Sequence, residues 1–133
     1  MTHNNLFTYL ATRQTPKITL YTEKENESIY VLSIEGRTIP ENPAQFFLPI
    51  IEKIKRKIKD RLEGSKIIIN LKVDYINSIS LKFFIRLLHD IQNVFNIENV
   101  VVNWFYEDED TYDLGKDLAF MTELDFNFVD MKK

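Results

Sequence analysis

The sequence predicts an α/β protein: one domain whose mixed sheet combines an N-terminal antiparallel hairpin with later parallel strands, packed with about three helices. Three observations carry this. Two alternating strand-like runs stand close together near the start, helix-period and strand-period segments then alternate to the end, and 133 residues with 44% hydrophobic content suffice for a single core. The order reads strand, strand, helix, strand, helix, strand, helix, strand. Residues 1–16 form a polar, partly ordered arm and 17–133 the domain itself.

Within the arm, Leu6, Phe7, Tyr9 and Leu10 offer enough apolar surface to dock as a short edge strand. Lys17-Ile18-Thr19-Leu20-Tyr21-Thr22 alternates, a charged loop follows at 23–27, and Ser28-Ile29-Tyr30-Val31-Leu32-Ser33-Ile34-Glu35 is again rich in strand formers, with Gly36 closing the hairpin. Asn42 followed by Pro43 starts a helix: Asn caps and Pro suits the first helical position. Phe46, Phe47, Ile50, Ile51, Ile54 and Ile58 make its apolar stripe, and Pro49 is expected to kink its first turns unless the regular helix begins only there. The cations at 53, 55, 56, 57, 59 and 61 read as a solvated face that also complements the helix dipole.

Lys66-Ile67-Ile68-Ile69-Asn70-Leu71-Lys72-Val73 reads as an interior strand, because three isoleucines run without a polar break. Leu81, Phe84, Ile85, Leu88, Ile91 and Phe95 then recur at helical spacing. A strand over 98–106 follows, then an acidic stretch at 107–110, a helix over 111–121 with Tyr112, Leu114, Leu118 and Met121 as its apolar positions, and a last short strand over 125–130.

In a sheet of this kind, function collects at the carboxyl ends of the parallel strands. Two segments leave the sheet there: Asp74-Tyr75-Ile76-Asn77-Ser78-Ile79-Ser80-Leu81-Lys82 and the acidic loop at 107–110. The first ends at a helix N-terminus, where unpaired backbone N–H groups and about half a positive charge favour a capping oxygen or an anion. Ser78 and Ser80 are both placed for this. One of them is the helix cap, or one is a phosphoacceptor whose phosphate the N–H groups and Lys82 would receive. The residues leave both readings open.

Composition narrows the remaining functions. A net charge of −3 and a pI near 5.4 give no general attraction to nucleic acid. With no cysteine there is no disulfide or thiolate chemistry, and with neither a signal peptide nor an apolar run of about 18 residues, a cytoplasmic protein without membrane insertion is expected. The acidic loop lacks the spaced oxygens and central glycine of a calcium site. His3 and His89 assemble no Ser-His-acid set, and the three glycines form no phosphate-cradling loop. The expectation is a protein with no cofactor, no metal and no enzymatic activity.

Several segments resemble the SiaC family of bacterial regulatory phosphoproteins, which are similar in fold to the STAS domains of anti-anti-sigma factors. They are Thr15-Pro16-Lys17-Ile18, Glu35-Gly36-Arg37-Thr38-Ile39-Pro40-Glu41-Asn42, Phe46-Phe47 with Pro49, and Asn103-Trp104-Phe105-Tyr106 with the acidic residues after it. The most specific is Tyr75-Ile76-Asn77-Ser78-Ile79-Ser80-Leu81-Lys82, similar to the family's Tyr-x-Asn-Thr-Ser-Ser-x-Lys. The resemblance implies a STAS-like domain with Ser78 as phosphoacceptor, Ser80 as the alternative, and a partner-binding and phosphate environment of Tyr75, Asn77, Ser80, Lys82, Trp104 and Tyr106. Ile79 departs from the family's serine. The implied function is a partner switch in c-di-GMP signalling: the unphosphorylated form binds and activates a diguanylate cyclase or similar target, a protein kinase blocks this, and a PP2C-type phosphatase restores it. The competing reading is a constitutive scaffold or interaction domain.

Overall fold

The computed structural model describes residues 3–132, with His3 by its backbone alone; Met1, Thr2, the His3 side chain and the terminal Lys133 lie outside the described residues. Six strands and three helices follow in the order β1 (His3–Tyr9), β2 (Lys17–Glu23), β3 (Ile29–Thr38), α1 (Pro43–Ile58), β4 (Lys66–Ile76), α2 (Ser78–Gln92), β5 (Val100–Tyr106), α3 (Glu109–Thr122) and β6 (Phe126–Asp130), with one 3-10 turn at Ile97–Asn99. The strands lie side by side in chain order. β1, β2 and β3 pair antiparallel, and β3 to β6 pair parallel. The residues at the start of the chain thus supply an edge strand, with Phe7 buried.

Each parallel step moves one strand further in the same direction, so α1, α2 and α3 lie in one layer, α1 against α2 and α2 against α3. The core fills the space between that layer and the sheet. Ile18 and Leu20 of β2, Leu32 and Ile34 of β3, Ile67, Ile69 and Leu71 of β4, and Val102 and Trp104 of β5 all face it with almost no exposure. Phe47 stitches the first two helices together, stacked on Phe83 at 5.5 Å and edge-on to Phe84 at 5.7 Å.

The isoleucine run of β4 is the first departure from expectation. The strand is interior, between β3 and β5, yet Ile68 is only half-buried, because helices cover one face of the sheet alone. On the uncovered face an asparagine ladder crosses three strands: Asn103 Nδ2 donates to Asn70 Oδ1 at 2.9 Å and Asn127 Nδ2 to Asn103 Oδ1 at 3.1 Å. Gly36 does not close the hairpin either. It sits inside β3 with φ of +117°, against the Pro16 backbone, and the strand continues to Thr38.

α1 begins as expected, with Asn42 accepting from Gln45 N at 3.1 Å and Pro43 in the first turn, and it continues through Pro49. The cations of α1 and of the turn after it are not all free. Lys53 lies over the rings of Phe7 and Tyr9, Arg61 over Phe95, and Lys55 reaches Glu52 and Asp90. Asp90 also meets Arg86 on its own helix, at 3.9 Å.

Candidate functional site

At its carboxyl end β4 gains one residue over β3. Arg37 pairs with Asp74 and Thr38 with Ile76, leaving Tyr75 as the extra residue of a bulge. Its φ is +44°, a left-handed conformation costing an L-residue roughly 1–2 kcal/mol. The ring stands out from the surface, 70% exposed, under the Arg37 guanidinium at 4.7 Å. Bulges of this kind re-aim side chains next to functional sites.

The chain then turns into α2, and neither serine is its cap. Asn77 is, with Oδ1 accepting from Ser80 N at 2.8 Å, while its own N–H donates to Thr38 O at 3.4 Å. Ser78, Ile79 and Ser80 therefore occupy the first three helical positions. Ser78 is exposed and Ile79 is 55% exposed. Ser80 is 0% exposed and its Oγ has no hydrogen-bond partner, so this hydroxyl is closed to a modifying enzyme. That corrects its standing as an alternative acceptor. Lys82, also exposed, is four residues beyond Ser78 and shares its side of the helix.

Beside this turn, β5 ends and the acidic segment begins. The helix expected from 111 starts at Glu109, because Asp108 caps it: Oδ1 accepts from Thr111 N at 2.8 Å. Those hydrogen bonds from Thr111, backbone first, hold the Asp108 carboxyl below the usual carboxylate range, helped by Lys132. A concavity of about 510 Å³ lies between the two strand ends, with Asp74, Tyr75 and Ile76 on one side and Glu107, Asp108 and Asp110 on the other. The turn after β4 and the acidic loop thus share one face. Among the described residues no three His, Asp or Glu side chains gather as a metal-ligand set.

Of the two aromatic residues on β5 expected near the site, only Trp104 belongs to the core. Trp104 is 0% exposed and cannot line a partner surface; its Nε1 donates to Thr111 O at 2.9 Å, beside Gly115. Tyr106 is half-buried and packs edge-on against Tyr112 at 5.0 Å. Sequence reasoning missed the contributions of Arg37, Thr38 and Gly115. A glycine inside a helical pattern is a readable signal for the last.

Fold and site together define a small α/β domain that offers an exposed serine at a helix start, flanked by exposed Tyr75 and Ile79. The chain belongs to the SiaC family of regulatory phosphoproteins, whose family model matches residues 9–131. Among solved structures it is similar to apo-SiaC from Pseudomonas aeruginosa, at 20% identity and a TM-score of 0.74, covering 97% of this chain and 99% of that one. It is equally similar, at 20% identity and a TM-score of 0.74, to a chain in the complex of the diguanylate cyclase SiaD with its activator SiaC from the same organism, covering 93% of this chain and 98% of that one. Comparison with curated proteins finds no match. No helix of the described residues is long and apolar enough to cross a membrane.

Proposed function

We propose that this protein is a non-enzymatic, cytoplasmic partner switch whose phosphoacceptor is Ser78. Its unphosphorylated form binds and activates a diguanylate cyclase or a similar effector. A protein kinase adds the phosphate, and a PP2C-type phosphatase removes it. The observation that carries this is the contrast between two serines two residues apart: Ser78 is exposed in the first turn of α2 and Ser80 is sealed beneath it.

The physical effect follows from the surroundings. In the free form, the segment that holds Ser78 also exposes the apolar side chains of Tyr75 and Ile79. Phosphorylation adds about −1.5 to −2 charges to it. The amides of Ser78 and Ile79, which have no acceptor within the helix, and Lys82 stabilise the dianion on the protein itself. A partner seated on Tyr75 and Ile79 would instead have to desolvate it, next to Asp74 and the acidic loop. Opposition of about 1–3 kcal/mol lowers affinity roughly tenfold to a hundredfold, and no refolding is required.

Asn77, not Ser78, caps α2, which leaves the Ser78 hydroxyl outside the cap. The test is recovery of partners from the native host on immobilised Ser78→Ala and Ser78→Asp proteins. The alanine form is expected to retain the cyclase or other effector and the aspartate form to lose it. Equal recovery would count against the switch.

A further inference from the structure

We infer that the outer face of α3 is a self-association surface that pairs two copies of this chain antiparallel about a two-fold axis. The inference does not rest on the switch at Ser78. Phe120 is 85% exposed, the most exposed of the large hydrophobic side chains among the described residues, and its neighbour Met121 is 45% exposed. Both border a shallow groove of about 740 Å³ whose floor includes Ala119, Leu124 and Phe128. β6 is the last strand of the sheet, so no further strand of this chain closes that side. A projecting aromatic and an apolar recess on the same surface are what an isologous contact needs, because each copy supplies both parts.

The order of residues along α3 selects the second copy as the occupant. Lys116, Ala119 and Phe120 stand at helical spacings of three and four and share one face of α3; Glu123 is the left-handed residue that ends the helix, and all four border the groove. In an antiparallel pair centred between Ala119 and Phe120, Phe120 of each copy meets Ala119 of the other, a large ring over a small side chain. In the same register Lys116 of each copy meets Glu123 of the other. Shape and charge therefore become complementary in one alignment. In the free chain Lys116 lies over the rings of Tyr112 at 5.9 Å and Phe128 at 5.2 Å, which holds its cation at the edge of the groove.

Two phenylalanines bury about 150–250 Å² each, so the contact is smaller than a standard stable interface, and a dimer in the micromolar range or weaker is expected. Sedimentation velocity on the full chain, from about 10 micromolar to about 1 millimolar, brackets that range. The expected result is a concentration-dependent dimer whose dissociation constant rises at least tenfold in Phe120→Ser, a substitution at an exposed site that leaves the circular dichroism unchanged. Lys116→Glu and Glu123→Lys alone should each weaken it severalfold, and the double charge reversal should regain most of the loss. A wild-type chain that stays monomeric throughout overturns the inference, as does a dimer indifferent to Phe120→Ser or a double reversal no tighter than the single ones. So does a monomer that loses cyclase binding through Phe120→Ser, which would assign the patch to the effector.

Discussion

Replacing Gly115 by alanine is expected to destabilise the protein by about 1–5 kcal/mol, although alanine is the better helix former. A Cβ at Gly115 would stand 2.4 Å from Nε1, 2.5 Å from Cδ1 and 2.7 Å from Cε2 of Trp104. Carbon contacts are comfortable only beyond about 3.5 Å, so the indole or α3 must move by about 1 Å. The indole has nowhere to go, being 0% exposed and stacked near Phe126 at 6.2 Å. Overpacking of this kind costs about 1–3 kcal/mol, and pulling Nε1 away from Thr111 O leaves a buried donor unpaired at a further 1–3 kcal/mol or so. Against this stands a helix-propensity gain of about 1 kcal/mol. For a chain of 133 residues the balance corresponds to a fall in Tm of about 3–25 °C. Urea denaturation followed by the fluorescence of Trp104, the one tryptophan, reads both the stability and the altered indole environment. Gly64→Ala serves as a control, since its Cβ would meet nothing within 4 Å and only its φ of +81° resists, at about 1 kcal/mol. A Gly115→Ala protein as stable as wild type would refute the close packing of α3 on Trp104.

Three further outcomes follow from the turns at the strand ends. Asn77→Ala removes the α2 cap and should cost about 0.5–2 kcal/mol in urea titration, with Asn77→Asp or Asn77→Ser recovering most of it. Ser80→Ala deletes a buried hydroxyl that has no partner, so stability should hold or rise by up to about 1–2 kcal/mol; a clear loss would mean that the hydroxyl is bonded. The lowered pKa of Asp108 means that its contribution is fully present above the ordinary carboxylate pKa and is lost as pH falls through the lower value of the folded state. Asp108→Asn keeps a capping oxygen without the titration. Its Tm at pH 7 should stay near that of wild type and its decline towards pH 3 should be shallower, and parallel acid profiles would contradict the assignment.

Much of the fold was legible because the sheet and helices carry strong periodicities: alternation in β2 and β3, and apolar stripes in α1 and α2. What escaped has physical causes. Ile67, Ile68 and Ile69 look buried on both faces, yet the uncovered side of a one-layer sheet tolerates a half-exposed isoleucine. Asn77, Ser78 and Ser80 are all good caps, and only the backbone dihedrals of Asn77 decide among them. Aromatic residues near a strand end serve cores and surfaces alike, so Trp104 and Tyr106 could not be sorted by type. Nothing in the sequence marks Tyr75 for a left-handed backbone, since tyrosine is not a residue that favours it. The co-location of the Ser78 turn with the acidic loop was readable, because strand direction alone brings both to one edge.

The switch turns on one oxygen, Ser78 Oγ, and chemically defined protein isolates its effect. Phosphoserine can be incorporated at position 78 and the affinity of this form for the host's diguanylate cyclase compared with that of the unmodified chain. The phosphorylated protein is expected to bind at least about tenfold more weakly, with an unchanged circular dichroism spectrum. Equal affinities, or a loss of binding accompanied by unfolding of α2, would contradict it.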